Sequence, residues 1–507
     1  MADLKGSSEA IGTAETKTRG TISTGPAAGS GKLHTPGKIE QLRHQLGVPV
    51  AIVAAVAIWV MPAPAGLSLP GQRALALFAG IFFLYLTEAI PLAISSLLVV
   101  PAAVLMGVAK PASALEGFGS SSVYLLVGAF ILATAMVKTK LAERITYLIL
   151  ARTGCAPGRI TFGVTLSNIV LAFLVPSTAA RVAILLPVCL GIIALFSDEG
   201  RSKFAVNLLL TLTLTNATIG AGILTATVPN PVTIEFLTKV TGRTVNYGEW
   251  LLLGFPPALL MTFITWWLIQ VIFKPEAGLA LEGAERLIRD NLSLMGKMSS
   301  AEWRALSVFL FVIFFWATQN FTRLDTTVVC LVGACLLFLP KFGVLNWNDA
   351  HKGVSWQIVL VCGGGVSLGE MLMKTGAAKW LAASIFQLLG LKGASTLVVL
   401  IVVMLILQYL HFFFVGTTAM TTAILPIIAA MAQNANINPM VLILPAGMII
   451  GGYPLLMFYN TLPNILVYGT GKLQVQDFPK VGVVACGIAC AIYTLCAATY
   501  WRWLGLL

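Results

Sequence analysis

Long apolar runs constrain the fold of this chain more than any other feature. They cover residues 48–61, 74–86, 90–108, 123–137, 250–273, 305–318, 327–339 and 481–495. Several approach the roughly 20 residues that a helix needs to cross a bilayer. Apolar residues make up 58% of the chain and charged residues only 10%, against about 25% charged in soluble domains. We therefore expect an all-α polytopic membrane protein.

Residues 1–46 have a different character. They are rich in Gly, Ser and Thr and nearly lack large apolar side chains, which is typical of a disordered tail. The first apolar run begins too deep in the chain for an ordinary signal peptide, and basic residues before a first span tend to stay in the cytoplasm. The sequence therefore predicts a multi-pass protein of the cell inner membrane with a cytoplasmic N-terminus.

Charge and metal-ligating residues exclude several classes of function. The net charge of +12 comes from basic residues scattered among loops, as in positive-inside topology, so no nucleic-acid partner is expected. The eight cysteines include no Cys-x-x-Cys pair, and there are only four histidines, which predicts no metal site. An intramembrane enzyme would need a cluster of ionisable groups. An intramembrane enzyme and an ion channel are therefore remote alternatives.

Three short motifs occur twice, in the same order. A Lys-Thr step lies at Lys138 and again at Lys374, 374 − 138 = 236 positions later. A hydroxyl triplet inside an apolar run occurs at 175–180 and 415–420, and the following Leu-Pro steps lie 426 − 187 = 239 positions apart. A Thr-x-Pro-Asn element recurs after 461 − 227 = 234 positions. The similar offsets predict a duplication, although Lys-Thr and Pro-Asn steps also end spans and start turns by themselves.

The duplication sets the expected domain organisation. Residues 47–274 would contain the first transmembrane span and repeat 1, residues 275–304 a charged linker, and residues 305–507 repeat 2. The segment that begins at Lys138 carries more basic residues than the one that begins at Lys374. Because basic loops favour the cytoplasm, this difference predicts that the repeats are inverted.

Each triplet is flanked by apolar arms that together suit a re-entrant hairpin. Pro176 and Gly416 disfavour a continuous helix, so the predicted hairpin tips lie at 176–178 and 416–418. A helix that starts at a tip presents unpaired N–H groups and the positive end of its dipole. Two such tips suit a dianion in a secondary transporter, although the hydroxyls could instead only cap the second arms. The tip hydroxyls predicted to bind substrate are Ser177, Thr178, Thr417 and Thr418.

The Thr-x-Pro-Asn elements follow Gly-containing stretches, as expected of spans that unwind in their middle. They add the candidate substrate-binding residues Thr227, Pro229, Asn230, Thr461, Pro463 and Asn464. An equal alternative is that the two asparagines are only turn residues. Backbone carbonyls and polar side chains nearby could bind a sodium ion, and the candidates are Ser177, Asn216, Gly220, Gly222, Thr417, Gly451 and Gly452.

Two charged residues within the apolar segments are candidates for a functional role, because charge is costly in lipid. Glu88 lies in a Thr-Glu-Ala-Ile-Pro sequence and is either functional or a buried structural acid. Arg181 lies three residues after Thr178. It could neutralise a substrate carboxylate, or it could be an arginine at a helix end that extends to the membrane surface.

These motifs resemble those of the divalent-anion/sodium symporters. The resemblance covers residues 47–507 and rests on Thr87-Glu88-Ala89-Ile90-Pro91, the two triplets and the two Pro-Asn elements. It implies about eleven transmembrane helices plus two re-entrant hairpins, a homodimer and an elevator motion. The family triplet is Ser-Asn-Thr. Thr178 and Thr418 match its threonine, whereas Ser177 and Thr417 replace its asparagine and Pro176 and Gly416 its serine.

The motifs and the resemblance together predict a secondary carrier of a di- or tricarboxylate of the succinate, malate, 2-oxoglutarate, tartrate or citrate class. No cofactor is expected beyond sodium as a coupling ion. Because the asparagines and serines of the family triplet are replaced, coupling to sodium, coupling to protons and anion exchange all stay open. The nearest alternative substrate is an inorganic oxyanion such as sulfate, which two hydroxyl-lined helix ends would also accept.

Overall fold

The computed structural model describes residues 38–195, 201–276 and 282–505, and every regular element in these ranges is helical. The helices before residue 277 are α1 (Lys38–Val60), α2 (Leu69–Thr87), α3 (Leu92–Leu105), α4 (Pro111–Leu115), α5 (Ser121–Lys138), α6 (Leu141–Thr153), α7 (Pro157–Leu174), α8 (Thr178–Ala194), α9 (Lys203–Gly220), α10 (Pro229–Thr241) and α11 (Tyr247–Ile272), with a 3₁₀ turn at Glu116–Gly119.

The remaining helices follow the predicted linker region or lie within it. They are α12 (Glu282–Leu294), α13 (Ser300–Ala317), α14 (Gln319–Thr322), α15 (Thr326–Leu336), α16 (Trp347–Gly353), α17 (Trp356–Lys374), α18 (Ala377–Leu388), α19 (Thr396–Leu410), α20 (Thr417–Asn434), α21 (Pro439–Gly452), α22 (Leu462–Tyr468), α23 (Asp477–Leu495) and α24 (Trp501–Trp503), with a π-helical turn at Cys496–Tyr500.

Seven helical stretches in the described ranges are long and apolar enough to cross a membrane. Shorter apolar helices accompany them, among them α8, α19 and α21. This architecture confirms the prediction of an all-α polytopic membrane protein. Residues 1–37 of the predicted tail lie outside the described residues, and α1 begins at Lys38 because residues 38–46 include several good helix formers. Residues 277–281 of the predicted linker also lie outside.

Two reciprocal ion pairs show how α5 and α17 run relative to each other. Lys138 at the end of α5 contacts Asp349, shortly before α17, with an N–O distance of 2.6 Å. Lys374 at the end of α17 contacts Glu116, shortly before α5, at 2.8 Å. In both pairs the lysine lowers the pKa of the acid below its ordinary value. Since each helix ends beside the start of the other, α5 and α17 are antiparallel, as expected of inverted repeats.

Close packing around α17 explains the run of glycines in its middle. A Cβ atom at Gly363 would collide with Phe118, one at Gly364 with Ser96, and one at Gly365 with Thr422. These residues belong to the 3₁₀ turn, α3 and α20. The glycines therefore allow three elements to approach α17 closely, which is how small residues act in membrane helix packing.

The first triplet lies at a sharp reversal of the chain. Asn168 in α7 donates to the carbonyl of Leu212 and to the hydroxyl of Thr215, at 2.9 and 2.8 Å. Arg181 in α8 donates to Asn216, which is the next residue of the same helix, α9. A continuous helix would separate positions 168 and 181 by about 20 Å at 1.5 Å per residue. The two arms therefore fold back on each other as a hairpin.

Candidate functional site

A cavity of about 350 Å³ brings the two triplets and the two Thr-x-Pro-Asn elements together. Residues 176–179 and 415–419 line it, as do residues 227–228 and 461–463. The rest of the lining includes Glu88, Phe130, Ser355 and Gln357. Segments separated by more than 230 positions in sequence thus share one cavity, as the duplication predicts.

The first tip (175–177) ends where α8 begins. Ser177 is the N-cap residue, and its side chain accepts a hydrogen bond from the Ala180 N–H at 3.2 Å. Thr178 is the first residue of α8 and lines the cavity. Ser177 therefore serves as a cap, as the alternative interpretation proposed, while the helix N-terminus still faces the cavity.

The second tip (411–416) leads into α20 in the same way. Gly416 is the N-cap residue, with extended backbone at φ −143°, and α20 begins at Thr417. Gly416, Thr417 and Thr418 all line the cavity. The first N–H groups of a helix have no partner within the helix. The cavity thus receives two helix N-termini, which are favourable positions for negative charge.

Arg181 connects three segments around the first tip. Its guanidinium donates to the carbonyl of Val175 at 2.8 Å, to the carbonyl of Ala226 at 3.1 Å and to the side chain of Asn216 at 2.5 Å. The side chain is completely buried, with a relative exposure of 0%. The proposal that it extends to the membrane surface is therefore wrong, because its donors pair with carbonyl oxygens inside the protein. It is not among the described residues that line the cavity.

Two broken helices complete the site, and their asparagines have equivalent roles. The stretch 221–228 (break 1) separates α9 from α10, and 453–461 (break 2) separates α21 from α22. The Asn230 amide donates to the carbonyls of Gly220 and Ile223, both at 2.8 Å. The Asn464 amide donates to Pro454 and Met457 at 3.0 and 3.1 Å. In both cases the acceptors lie ten and seven positions earlier.

Each amide thus connects two buried backbone carbonyls of its break, and those of Ile223 and Met457 also accept from the N–H groups of Ala226 and Asn460. The described cavity lining includes Thr227, Thr461 and Pro463 but not Pro229, Asn230 or Asn464. Both asparagines are completely buried. The structure therefore places them as supports of the breaks, close to the interpretation as turn residues.

Ser177 and Thr417, two of the residues predicted to bind a cation, lie at the tips, and the other five lie at or near the two breaks. Asn216 bonds to Arg181 and to the Thr178 carbonyl, and the Gly220 carbonyl accepts from Asn230. A Cβ atom at Gly451 would meet Pro229, and one at Gly452 would meet Ala221. Gly222 packs tightly against α11, near Phe255 and Ala258. In the described part of the chain, no three His, Cys, Asp or Glu residues cluster as metal ligands would.

Glu88 ends α2 and faces the cavity. It occupies the left-handed conformation with φ 48°, and its backbone N–H donates to the carbonyl of Leu84. A left-handed backbone is uncommon for residues other than glycine, so the sequence after α2 turns sharply at this residue. This position places Glu88 among the residues that line the cavity shared by the two tips.

Several residues at the site were not predicted from the sequence. Ser355 and Gln357 line the cavity from the start of α17, and Asn460 and Tyr459 bond to the second tip. The comparison of repeats did not reveal Asn460, because at the offset of the Thr-x-Pro-Asn elements it corresponds to Ala226. Nothing else in the sequence around Asn460 indicates that it belongs to the site.

Comparison with known proteins agrees with this architecture. A family model described as the sodium:sulfate symporter transmembrane region matches residues 43–507. A membrane protein of Cupriavidus necator is 30% identical over 477 residues, covering 90% of this chain and 93% of that protein. The sodium-dependent dicarboxylate transporter SdcS of Staphylococcus saprophyticus is 29% identical, covering 88% and 90% of the two chains.

Solved structures show a related fold at low sequence identity. The antimetabolite efflux pump MtrF of Neisseria gonorrhoeae has a TM-score of 0.55 at 10% identity, covering 92% of this chain and 95% of its own. The YdaH transporter of Alcanivorax borkumensis has a TM-score of 0.51 at 11% identity, covering 92% and 98%. The chain thus belongs to the sodium:sulfate symporter family, the divalent-anion/sodium symporters that its motifs resemble, and it is a secondary transporter and not an enzyme.

Proposed function

We propose that this chain carries a di- or tricarboxylate of the succinate, malate, 2-oxoglutarate, tartrate or citrate class. The observation that supports this most is the convergence of two helix N-termini, each with a threonine hydroxyl, on one cavity. Each tip would bind one carboxylate through backbone N–H groups and the hydroxyl of Thr178 or Thr418. The cavity volume of about 350 Å³ falls within the usual range for small-molecule sites.

Relatives support the same class of substrate. The similar protein from Staphylococcus saprophyticus is named a sodium-dependent dicarboxylate transporter. The family description, which names sulfate, supports the alternative of an inorganic oxyanion. A tetrahedral dianion would also be attracted by two helix N-termini, so the two substrates need a direct comparison.

The transport cycle that we propose is alternating access of elevator type. The hairpins and broken helices, α7–α11 and α19–α23, would form one moving group (the core). The helices α2, α3, α5, α13, α15 and α17 would form the other group (the frame), since α3 packs on α17 and α5 on α15. The cavity lies where the two groups meet. A homodimer in the inner membrane, with a cytoplasmic N-terminus, completes this proposal.

Two forms of coupling have support. The name of the sodium-dependent relative favours sodium. Anion exchange is favoured by the tips themselves, because their carbonyls already accept protein donors: Val175 accepts from Arg181, and His411 and Phe414 accept from Asn460. Fewer free carbonyl oxygens then remain to replace the hydration shell of sodium.

Uptake by purified protein in liposomes tests these proposals. We expect accumulation of labelled succinate that is reduced by unlabelled dicarboxylates more than by sulfate. Imposing a sodium gradient, a proton gradient or internal succinate in separate experiments identifies the coupling. Sulfate uptake without succinate uptake would contradict the carboxylate proposal and support the oxyanion alternative.

A further inference from the structure

The backbone of the second tip needs partners that its own helices do not supply. Residues 411–416 lie between α19 and α20 and form no regular element. The carbonyls of His411 and Phe414 lie in the interior, where an unpaired carbonyl is costly. The donors that pair with these carbonyls therefore help to determine the shape of the tip.

Two consecutive residues of break 2 supply these donors. The side-chain amide of Asn460 donates to the carbonyls of His411 and Phe414, at 2.5 and 3.3 Å. The Tyr459 hydroxyl donates to the carbonyl of Phe412 at 2.9 Å. The amide oxygen of Asn460 accepts from the N–H of Met457 at 2.8 Å, and the side chain is only 1% exposed. Asn460 thus joins the tip to the break through one rigid group.

The first tip is held in a different way. Arg181, which joins its tip to break 1 by donating to Val175 and Ala226, belongs to the second arm of its own hairpin. In repeat 2 the donors are the uncharged side chains of Asn460 and Tyr459, which belong to break 2. Asn460 and Tyr459 thus connect the second tip to break 2, in addition to the contact of the His411 side chain with the Ile450 carbonyl, and repeat 1 carries Ala226 and Thr225 at their positions.

Both sides of this connection line the cavity. Residues 415–419 follow the tip carbonyls directly, and Thr461 follows Asn460 directly. A change in the contact between residue 460 and the tip would therefore move one cavity wall relative to another. Such a movement would alter the space available between the two carboxylate-binding helix ends.

We propose that Asn460, assisted by Tyr459, is a positioning residue that sets the chain-length selectivity of this carrier for dicarboxylates. The inference rests on the proposed function, since it assumes that the two helix ends bind the two carboxylates of one substrate. A rigid connection holds these ends at one separation, so that one spacing between carboxylates fits better than shorter or longer ones. Loosening the connection permits several spacings with lower affinity.

The test measures inhibition of labelled succinate uptake by malonate, succinate, glutarate and adipate in liposomes. Wild-type protein should distinguish these lengths sharply. In N460A, which loses two donated bonds, the inhibition constant of the preferred length should rise about tenfold, and the differences between lengths should shrink. Y459F removes only one hydroxyl and should raise the inhibition constant of the preferred length about threefold, with a smaller loss of the differences between lengths. The Y459F variant still tests chain-length selectivity if N460A folds poorly.

A matched control separates positioning from general stability. Asn434 lies at the far end of α20 and donates to the carbonyl of Lys379 at 2.8 Å in an exposed hydrogen bond, so N434A removes an asparagine amide from the same helix away from the cavity. It should leave the length profile unchanged. An unchanged profile in both N460A and Y459F, with only slower uptake, would overturn the inference. Absence of dicarboxylate uptake by the wild-type protein would overturn the proposed function as well.

Discussion

The two tip threonines are the side chains on which substrate binding should depend most directly. Each belongs to the first turn of a helix that starts at the cavity. A hydrogen bond to a charged group contributes about 1.5–3 kcal/mol, so T178A and T418A should each raise the KM for succinate roughly 10- to 100-fold. The measurement is initial uptake against succinate concentration.

Thr165 provides a control within the same hairpin. It is completely buried, unlike the two tip threonines, and its hydroxyl donates to the carbonyl of Thr161 at 2.9 Å within α7. T165A should leave the KM unchanged. If T178A and T418A behaved like T165A, the assignment of the tips as carboxylate sites would be wrong.

Arg181 should act through structure more than through direct contact with substrate. Its planar guanidinium donates four hydrogen bonds from three nitrogens to three segments, whereas a lysine ammonium has only three donors on one nitrogen. R181K should therefore lower the thermal midpoint of unfolding in detergent and abolish uptake, because buried carbonyls lose their donors at about 1–3 kcal/mol each. A stable R181K protein with only a raised KM would instead indicate a direct role in neutralising the substrate.

At the scale of elements, repetition made the hairpins and broken helices predictable. Pro176 and Gly416 interrupt apolar runs, and the structure begins α8 and α20 within two residues of them. The roles of single polar residues were harder to predict. Asn230 and Asn464 were interpreted as either substrate ligands or turn residues, and only the hydrogen bonds to carbonyls ten and seven positions earlier distinguish these roles.

Unpredicted contacts have a common physical reason. Asn460 pairs with carbonyls nearly fifty positions away, and Ser355 reaches the cavity because α17 crosses beside α3. Neither residue belongs to a repeated motif, and neither has a periodic pattern that would indicate its partner. Contacts of this kind depend on how helices pack in three dimensions, which local sequence patterns do not specify.

The two breaks should differ in their sensitivity to mutation, although their asparagines are equivalent. Asn464 also accepts a hydrogen bond from the Thr213 hydroxyl at 2.6 Å, which links α9 of repeat 1 to break 2. At the same offset of 234, the counterpart of Thr213 is Gly447, which has no hydroxyl. We therefore expect N464A to lower the thermal midpoint more than N230A.

A double-mutant cycle isolates this cross-repeat bond. T213V should lower the midpoint in the wild-type background but have little additional effect in N464A, because residues in direct contact are coupled. T213V combined with N230A should instead show additive effects. Additivity in both pairs would contradict the proposed link between α9 and break 2.

For the whole molecule, the ends of α17 have different surroundings. Ser355 and Gln357 at its start line the cavity. Glu370, near its other end, is paired with Lys239 at the end of α10, and Lys239 also contacts Glu235 at 3.2 Å. Glu370 and Gln357 are separated by about 20 Å along the helix. The pair thus joins α10 of the proposed core to α17 of the proposed frame on the side away from the cavity, where an elevator motion would have to separate them.

Cross-linking can test whether this contact opens during transport. Cysteines at positions 239 and 370, in a background without the eight native cysteines, would be joined by a short bis-maleimide. The control joins positions 116 and 374, because Lys374 and Glu116 form a similar pair at 2.8 Å between α17 and the 3₁₀ turn that precedes α5. In an elevator the first cross-link fixes the core to the frame and should abolish succinate uptake.

The second cross-link should leave uptake close to that of the untreated double-cysteine protein, because the 3₁₀ turn packs on α17 and leads directly into α5, and both helices belong to the frame. Comparing each protein before and after treatment removes the effect of the substitutions themselves. Full uptake after complete cross-linking of positions 239 and 370 would show that α10 and α17 keep their contact throughout the cycle. The division into a moving core and a fixed frame would then be wrong, because substrate would cross the membrane without separating them.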